Sequence, residues 1–122
     1  MGAHLSGGVA LKWLMNQMLE MKSYDDMTAL AGTVPAGSEG LVFLPYLSGE
    51  RTPYNDPEAK DLFGMTLKHT KAHMIRSTME GIVFGLRSSL EIFKGLGISS
   101  KKLLRQEGER EAVSFCRCRR IF

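Results

Sequence analysis

Glu50 and Arg51 stand side by side in residues 44–56, LPYLSGERTPYND, flanked by Ser48, Gly49 and Thr52. A carboxylate, a guanidinium and two hydroxyls then occupy five successive positions, and Asp56 adds a further negative charge. Gly49 permits close backbone approach, and Pro45, Pro53 and Pro57 restrict the chain around it. A polar loop of this kind between two apolar runs is where binding and catalytic groups concentrate. The alternative is an ordinary surface loop, in which Glu50 and Arg51 form an ion pair worth about 0–1 kcal/mol.

Other reactive types are sparser. His69 and His73 lie four residues apart, a helical spacing that could hold a metal, but no third ligand accompanies them and no metal is expected. Cys116 and Cys118 form a CRC triplet among arginines, which would favour the thiolate in an ordered segment. They are too close together and too isolated for a zinc site. The eight methionines fall in helical stripes and read as core filler.

The elements that must position these residues follow from periodicity. Apolar residues Leu11, Leu14, Met15 and Met18 predict a helix over about residues 8–19, and a short second helix is expected from near Asp25 to Gly32. Pro35, Gly37 and Gly40 then break the chain, and residues 41–44 read as a short buried strand that opens the polar loop. Residues 63–67 are the next strand candidate. From Thr70 to Lys94, Ile75, Met79, Ile82, Leu86, Leu90 and Phe93 recur every three or four residues and predict one long helix with a single core-facing stripe. Thr70 is its expected N-cap, and Gly95 or Gly97 its stop. Gly81 and Gly85 inside it each cost about 1 kcal/mol relative to Ala, which predicts another element packed closely on their face. A further strand is expected near Lys102.

The stretch that follows the polar loop, KDLFGMTLKHTKAHMIRSTMEGIVFGLRSSLEIFKGLGISSKKL, together with that loop resembles the FGGY carbohydrate kinases, and FLPYLSGERTP is nearest in wording to their xylulokinases. Gly64, Met65, His73, Met74, Ser77, Thr78, Met79 and Glu80 fit the family's second signature. Lys60 departs from it, because the pattern wants a small residue four before the glycine, and one residue is missing near Leu62. The resemblance covers residues 7–104. It implies an α/β fold, an incomplete actin-like (ribonuclease H-like) ATPase domain that forms the C-terminal domain of a sugar kinase. It also implies ATP and Mg as cofactors of the intact enzyme, a ketose such as D-xylulose as the phosphoryl acceptor, and Ser48, Gly49, Glu50, Arg51 and Thr52 as part of the substrate or nucleotide cleft. Gly64, His73 and Glu80 carry the signature, Glu80 with the alternative role of a helix residue that bridges neighbouring elements. The catalytic aspartate and the phosphate-binding loops of such kinases have no counterpart here, so no catalytic residue is assigned and tight nucleotide binding by this chain alone is not expected.

With 122 residues the chain suffices for one domain, whereas such kinases are several times longer. Hydrophobic content of 43% and charged content of 24% are those of a globular protein. No apolar run is long enough to span a membrane, and the first residues lack a basic leader and cleavage motif, so a cytoplasmic protein is expected. The net charge of +3 is carried by the end: residues 1–100 hold nine Lys or Arg against ten Asp or Glu, and residues 101–122 hold seven against three. A folded phosphate-tracking face is therefore not expected, nor is nucleic acid as a partner.

After Leu104 the family wording stops and RQEGEREAVSFCRCRRIF follows. Reading each codon's last base with the next codon's first two allows Gly-Gly-Gly-Ala-Arg-Ser from residues 106–112. Residues 115–122 allow Leu-Gln-Met-Gln-Ala-Asp-Ile, which is similar to the next helix of xylulokinases. Residues 105–122 are thus expected to be an out-of-frame, unstructured basic tail behind a partial domain at residues 1–104. The rival expectations are a noncatalytic domain remnant, a half that needs a separately encoded N-terminal kinase domain, and a basic-tail nucleic-acid binder.

Overall fold

A computed structural model describes residues 7–44 and 62–98. The chain enters as α1, Gly7–Trp13, and widens into a π turn over Leu14–Met18. The wider turn is closed by Leu19 N–H donating to Leu14 O at 3.0 Å. The extra residue per turn shifts later positions around the axis. Leu11, Leu14 and Met15 stay buried, but Met18 is 51% exposed, which corrects its expected place on the apolar side.

Helix α2, Tyr24–Ala31, begins where Ser23 Oγ accepts the Asp25 N–H at 3.1 Å. Asp25 and Asp26 in its first turn face the positive end of the helix dipole. Helix α3, Lys71–Gly95, is the spine. It ends where Gly97 takes φ +77° and Ile98 N–H reaches back to Phe93 O at 2.9 Å. Of its predicted stripe, Ile75, Met79 and Ile82 are fully buried and join Leu11, Leu14, Met15, Met27, Ala31 and Val83 in one core; Leu86 packs at its edge. Leu90 and Phe93 are half-buried.

Two short strands form an antiparallel ribbon, β1 (Val42–Phe43) and β2 (Leu62–Phe63), with Val42 opposite Phe63 and Phe43 opposite Leu62. The second strand is shorter than the predicted 63–67 and stops at Gly64, whose φ of +81° no extended strand adopts. Leu67 beyond it is fully exposed. The ribbon lies on α3 at Gly81, where a Cβ would sit 2.1 Å from Phe43 O. That close approach is why a residue costly to a helix interior stands there; Gly85 is also buried. Among the described residues no helix is long and apolar enough to cross a membrane. The strand expected near Lys102, the tail from residue 105 with Cys116 and Cys118, and the loop at residues 45–61 lie outside the described residues.

Candidate functional site

The 37–40 turn, Gly37-Ser38-Glu39-Gly40, has positive φ at all four residues: +86°, +48°, +51° and +91°. For Ser38 and Glu39 this left-handed backbone costs about 1–2 kcal/mol each. Hydrogen bonds from Gly40 N–H to Gly37 O at 3.0 Å and from Leu41 N–H to Ser38 O at 3.1 Å close the turn. Such strain persists only where surrounding structure holds it.

The holding comes from the residues that carry the sequence signature. Glu80 accepts the Gly37 N–H on both carboxylate oxygens at 3.2 Å. Its charge is matched within α3 by Arg76, whose Nε donates to Glu80 Oε1 at 2.8 Å. Arg76 Nη1 in turn donates to the carbonyls of Ala31 and Val34, tying the end of α2 to α3. Both side chains are buried, so the pair survives only because each remaining polar group is met.

His73 holds the next residue. Its Nε2 lies 2.7 Å from Glu39 Oε2, and its Nδ1 receives the Thr70 N–H at 3.1 Å. An Nδ1 that accepts a backbone N–H carries no proton, so the proton sits on Nε2 and is donated to Glu39. His69 repeats the arrangement one turn earlier: Nδ1 accepts the Thr66 N–H at 2.9 Å, and Nε2 faces Glu39 O at 3.3 Å. The His73 hydrogen bond holds the Glu39 carboxyl below its ordinary value of 4.5, against a smaller opposing effect of desolvation and with a further lowering by the charge of Lys68. Gly64 completes the clamp: a Cβ there would lie 2.6 Å from Gly40 O, and its positive φ is reserved for glycine.

Gly64, His73 and Glu80, spread over 17 positions of sequence, therefore converge on one four-residue turn. Glu80 takes the bridging role foreseen as its alternative. The sequence reading missed Glu39 and Arg76. It also missed a local signal, because Thr66-x-x-His69-Thr70-x-x-His73 is a tandem of the Ser/Thr-x-x-Glu/Gln capping box with histidine as the returning acceptor. Both histidine Nδ1 atoms are engaged by threonine N–H groups, and among the described residues no group of three or more His, Cys, Asp or Glu could hold a metal. The turn leads directly into β1, and β1 into the loop with Ser48, Gly49, Glu50, Arg51 and Thr52, which lies outside the described residues.

A sequence profile for the C-terminal domain of the FGGY family of carbohydrate kinases matches residues 1–106. The chain belongs to that family. It is 39% identical over 98 residues to the xylulose kinase of Staphylococcus epidermidis, covering 80% of this chain and 20% of that protein. It is 38% identical over 92 residues to the gluconokinase of Bacillus subtilis, covering 66% of this chain and 18% of that one. The crystal structure of xylulose kinase from Rhodospirillum rubrum superposes with a TM-score of 0.76 at 28% identity, over 93% of this chain and 24% of that one. The fold is accordingly part of the α/β actin-like domain of these sugar kinases. The chain spans about a fifth of the length of the curated relatives it matches.

Proposed function

We propose that this chain is a segment of a xylulokinase-like sugar kinase, whose complete form transfers the γ-phosphoryl of ATP to D-xylulose in the cytoplasm, and that alone it is inactive. The observation that carries the reading is the 39% identity to a xylulose kinase across a span that contains both the polar loop and the signature. The 37–40 clamp explains what those signature residues do, since they fix the backbone that enters β1. In this reading Ser48, Gly49, Glu50, Arg51 and Thr52 belong to the substrate or nucleotide cleft of the intact enzyme, with Glu50 and Arg51 adjacent to its site.

Phosphoryl transfer needs a carboxylate to take the hydroxyl proton, a metal ion bridging the phosphates and a nucleotide cradle. Mg and ATP are the cofactors of the intact enzyme in this reading, and tight binding of either by this chain alone is not expected. Residues 1–104 act as the folded segment, and residues 105–122 as an out-of-frame tail; the profile match ending at residue 106 supports that division.

The test is a coupled ADP-release assay on two proteins. The purified chain should match the no-enzyme control with D-xylulose. Residues 1–104 exchanged into the S. epidermidis xylulose kinase in place of the matching segment should give D-xylulose-dependent turnover that Glu50→Ala lowers by at least about tenfold. Sustained turnover by the chain alone, or a preference of the exchange protein for gluconate, would overturn the reading.

A further inference from the structure

We propose that His69 and His73 make the start of α3 sensitive to protons, so that mild acid opens the caps at Thr66 and Thr70 while the 37–40 turn stays held by Glu80 and by the Glu39–His73 contact. The device concerns the fold itself and stands apart from any catalytic reading.

The geometry sets the sign. At neutral pH each ring must present a bare Nδ1 to a backbone N–H, at 2.9 Å from Thr66 N and 3.1 Å from Thr70 N. Protonation converts that acceptor into a donor. The hydroxyls of Thr66 and Thr70, 3.2 and 3.0 Å from the same nitrogens, can turn and accept the new proton. The backbone N–H groups cannot turn, and each loses the acceptor that the cap gives it. The ring centroids are 5.2 Å apart and sit at the positive end of a 25-residue helix, so a second imidazolium meets both a like charge and the helix dipole.

Among the described residues, the charged groups near this pair are Glu39 from the turn, Lys68 from the segment before α3, and, further along α3, Arg76 and Glu80, which are already paired with each other. Of these, Glu39 opposes release, because its carboxylate attracts an imidazolium. Its bond is to Nε2, however, and does nothing for the stranded N–H groups on the other side of the ring. The expected acid form thus keeps Glu39 against His73 while the caps at Thr66 and Thr70 open.

The full chain labelled with 15N reports on each step. At pH about 7.5 the His69 and His73 ring shifts should identify the Nε2–H tautomer in both. Between pH about 7.5 and 5.5, exchange at the Thr66 and Thr70 amides, corrected for its intrinsic pH dependence, should quicken by about tenfold relative to amides near Met79. The double substitution His69→Asn with His73→Gln supplies side-chain oxygens that accept the same N–H groups at any pH, and it should abolish the difference. An Nδ1–H tautomer at neutral pH overturns the proposal, as does threonine protection indifferent to pH or an unchanged pH response in the double variant. The ring tautomers and wild-type exchange decide it even if that variant fails to fold.

Discussion

Helix α3 carries two Arg-Glu pairs at the same i, i+4 spacing and nearly the same length, 2.8 Å for Arg76–Glu80 and 2.9 Å for Arg87–Glu91. The side chains of the first are 4% and 5% exposed, and those of the second 60% each. Distance and spacing therefore say nothing about their weight; surroundings decide it. The inner pair is desolvated and committed to Gly37, Ala31 and Val34. Solvent screens the outer pair, and its Arg-before-Glu order runs against the helix dipole.

The largest expected effect lies at the inner pair. Glu80→Ala leaves a buried guanidinium without its counter-charge and the Gly37 N–H without its acceptor, so it should cost about 3–5 kcal/mol. Urea unfolding of the soluble chain measures this, and Glu80→Gln should recover part of the loss by accepting the Gly37 N–H. A loss below about 1 kcal/mol for Glu80→Ala would mean that the pair is wet and that the two ends of α3 do not differ.

Gly81→Ala tests the packing face beside it. A Cβ 2.1 Å from Phe43 O forces β1 away from α3, with an expected cost of about 1–3 kcal/mol. Ile82→Asp on the adjacent buried position should cost several kcal/mol for placing a carboxylate in the core, and with Gly81→Ala it separates ribbon contact from core contact. A thermal midpoint unchanged in both variants would place neither face in the interior.

How much of this was legible follows from the range of each interaction. The α3 stripe and the Ser23 and Thr70 caps are local, and sequence periodicity found the stripe because neighbours on one helix face recur at fixed intervals. The π turn hid itself, since it changes the interval without changing the composition. The clamp joins residues 34 to 45 positions apart through Glu39, Glu80 and Arg76, and no local pattern encodes such a distance. Resemblance marked Gly64, His73 and Glu80 as a signature without giving a reason. The reason is the strained turn, which cannot be inferred from the letters GSEG because Ser38 and Glu39 rarely take positive φ.

His73→Ala is expected to cost about 1 kcal/mol, the ordinary value of a lost cap, at neutral pH. Glu39 adds a separate acid dependence. Its carboxyl is held below 4.5 by the His73 N–H, so its stabilising contribution is present above that value and is lost as the pH falls through the lowered folded one. In Glu39→Gln the unfolding midpoint should lose that portion of its fall below pH 4.5. Superimposable acid limbs for the parent and the variant would remove Glu39 from the clamp.

The smallest effect should come from the outer pair. Arg87→Ala removes an exposed ion pair, and the alanine restores helix propensity, so the net change should stay within about 0.5 kcal/mol of zero. Raising salt from about 0.05 to 1 M should remove what remains of the Arg87–Glu91 attraction, since the Debye length falls to about 3 Å, while leaving the cost of Glu80→Ala nearly intact. The double cycle of Arg87→Ala with Glu91→Ala isolates the pair itself and should give a coupling of about 0.3 kcal/mol that vanishes in salt. A coupling above about 1 kcal/mol that persists in salt would mean that this end of α3 is covered in solution, and its side chains would then have to be regrouped with the buried end.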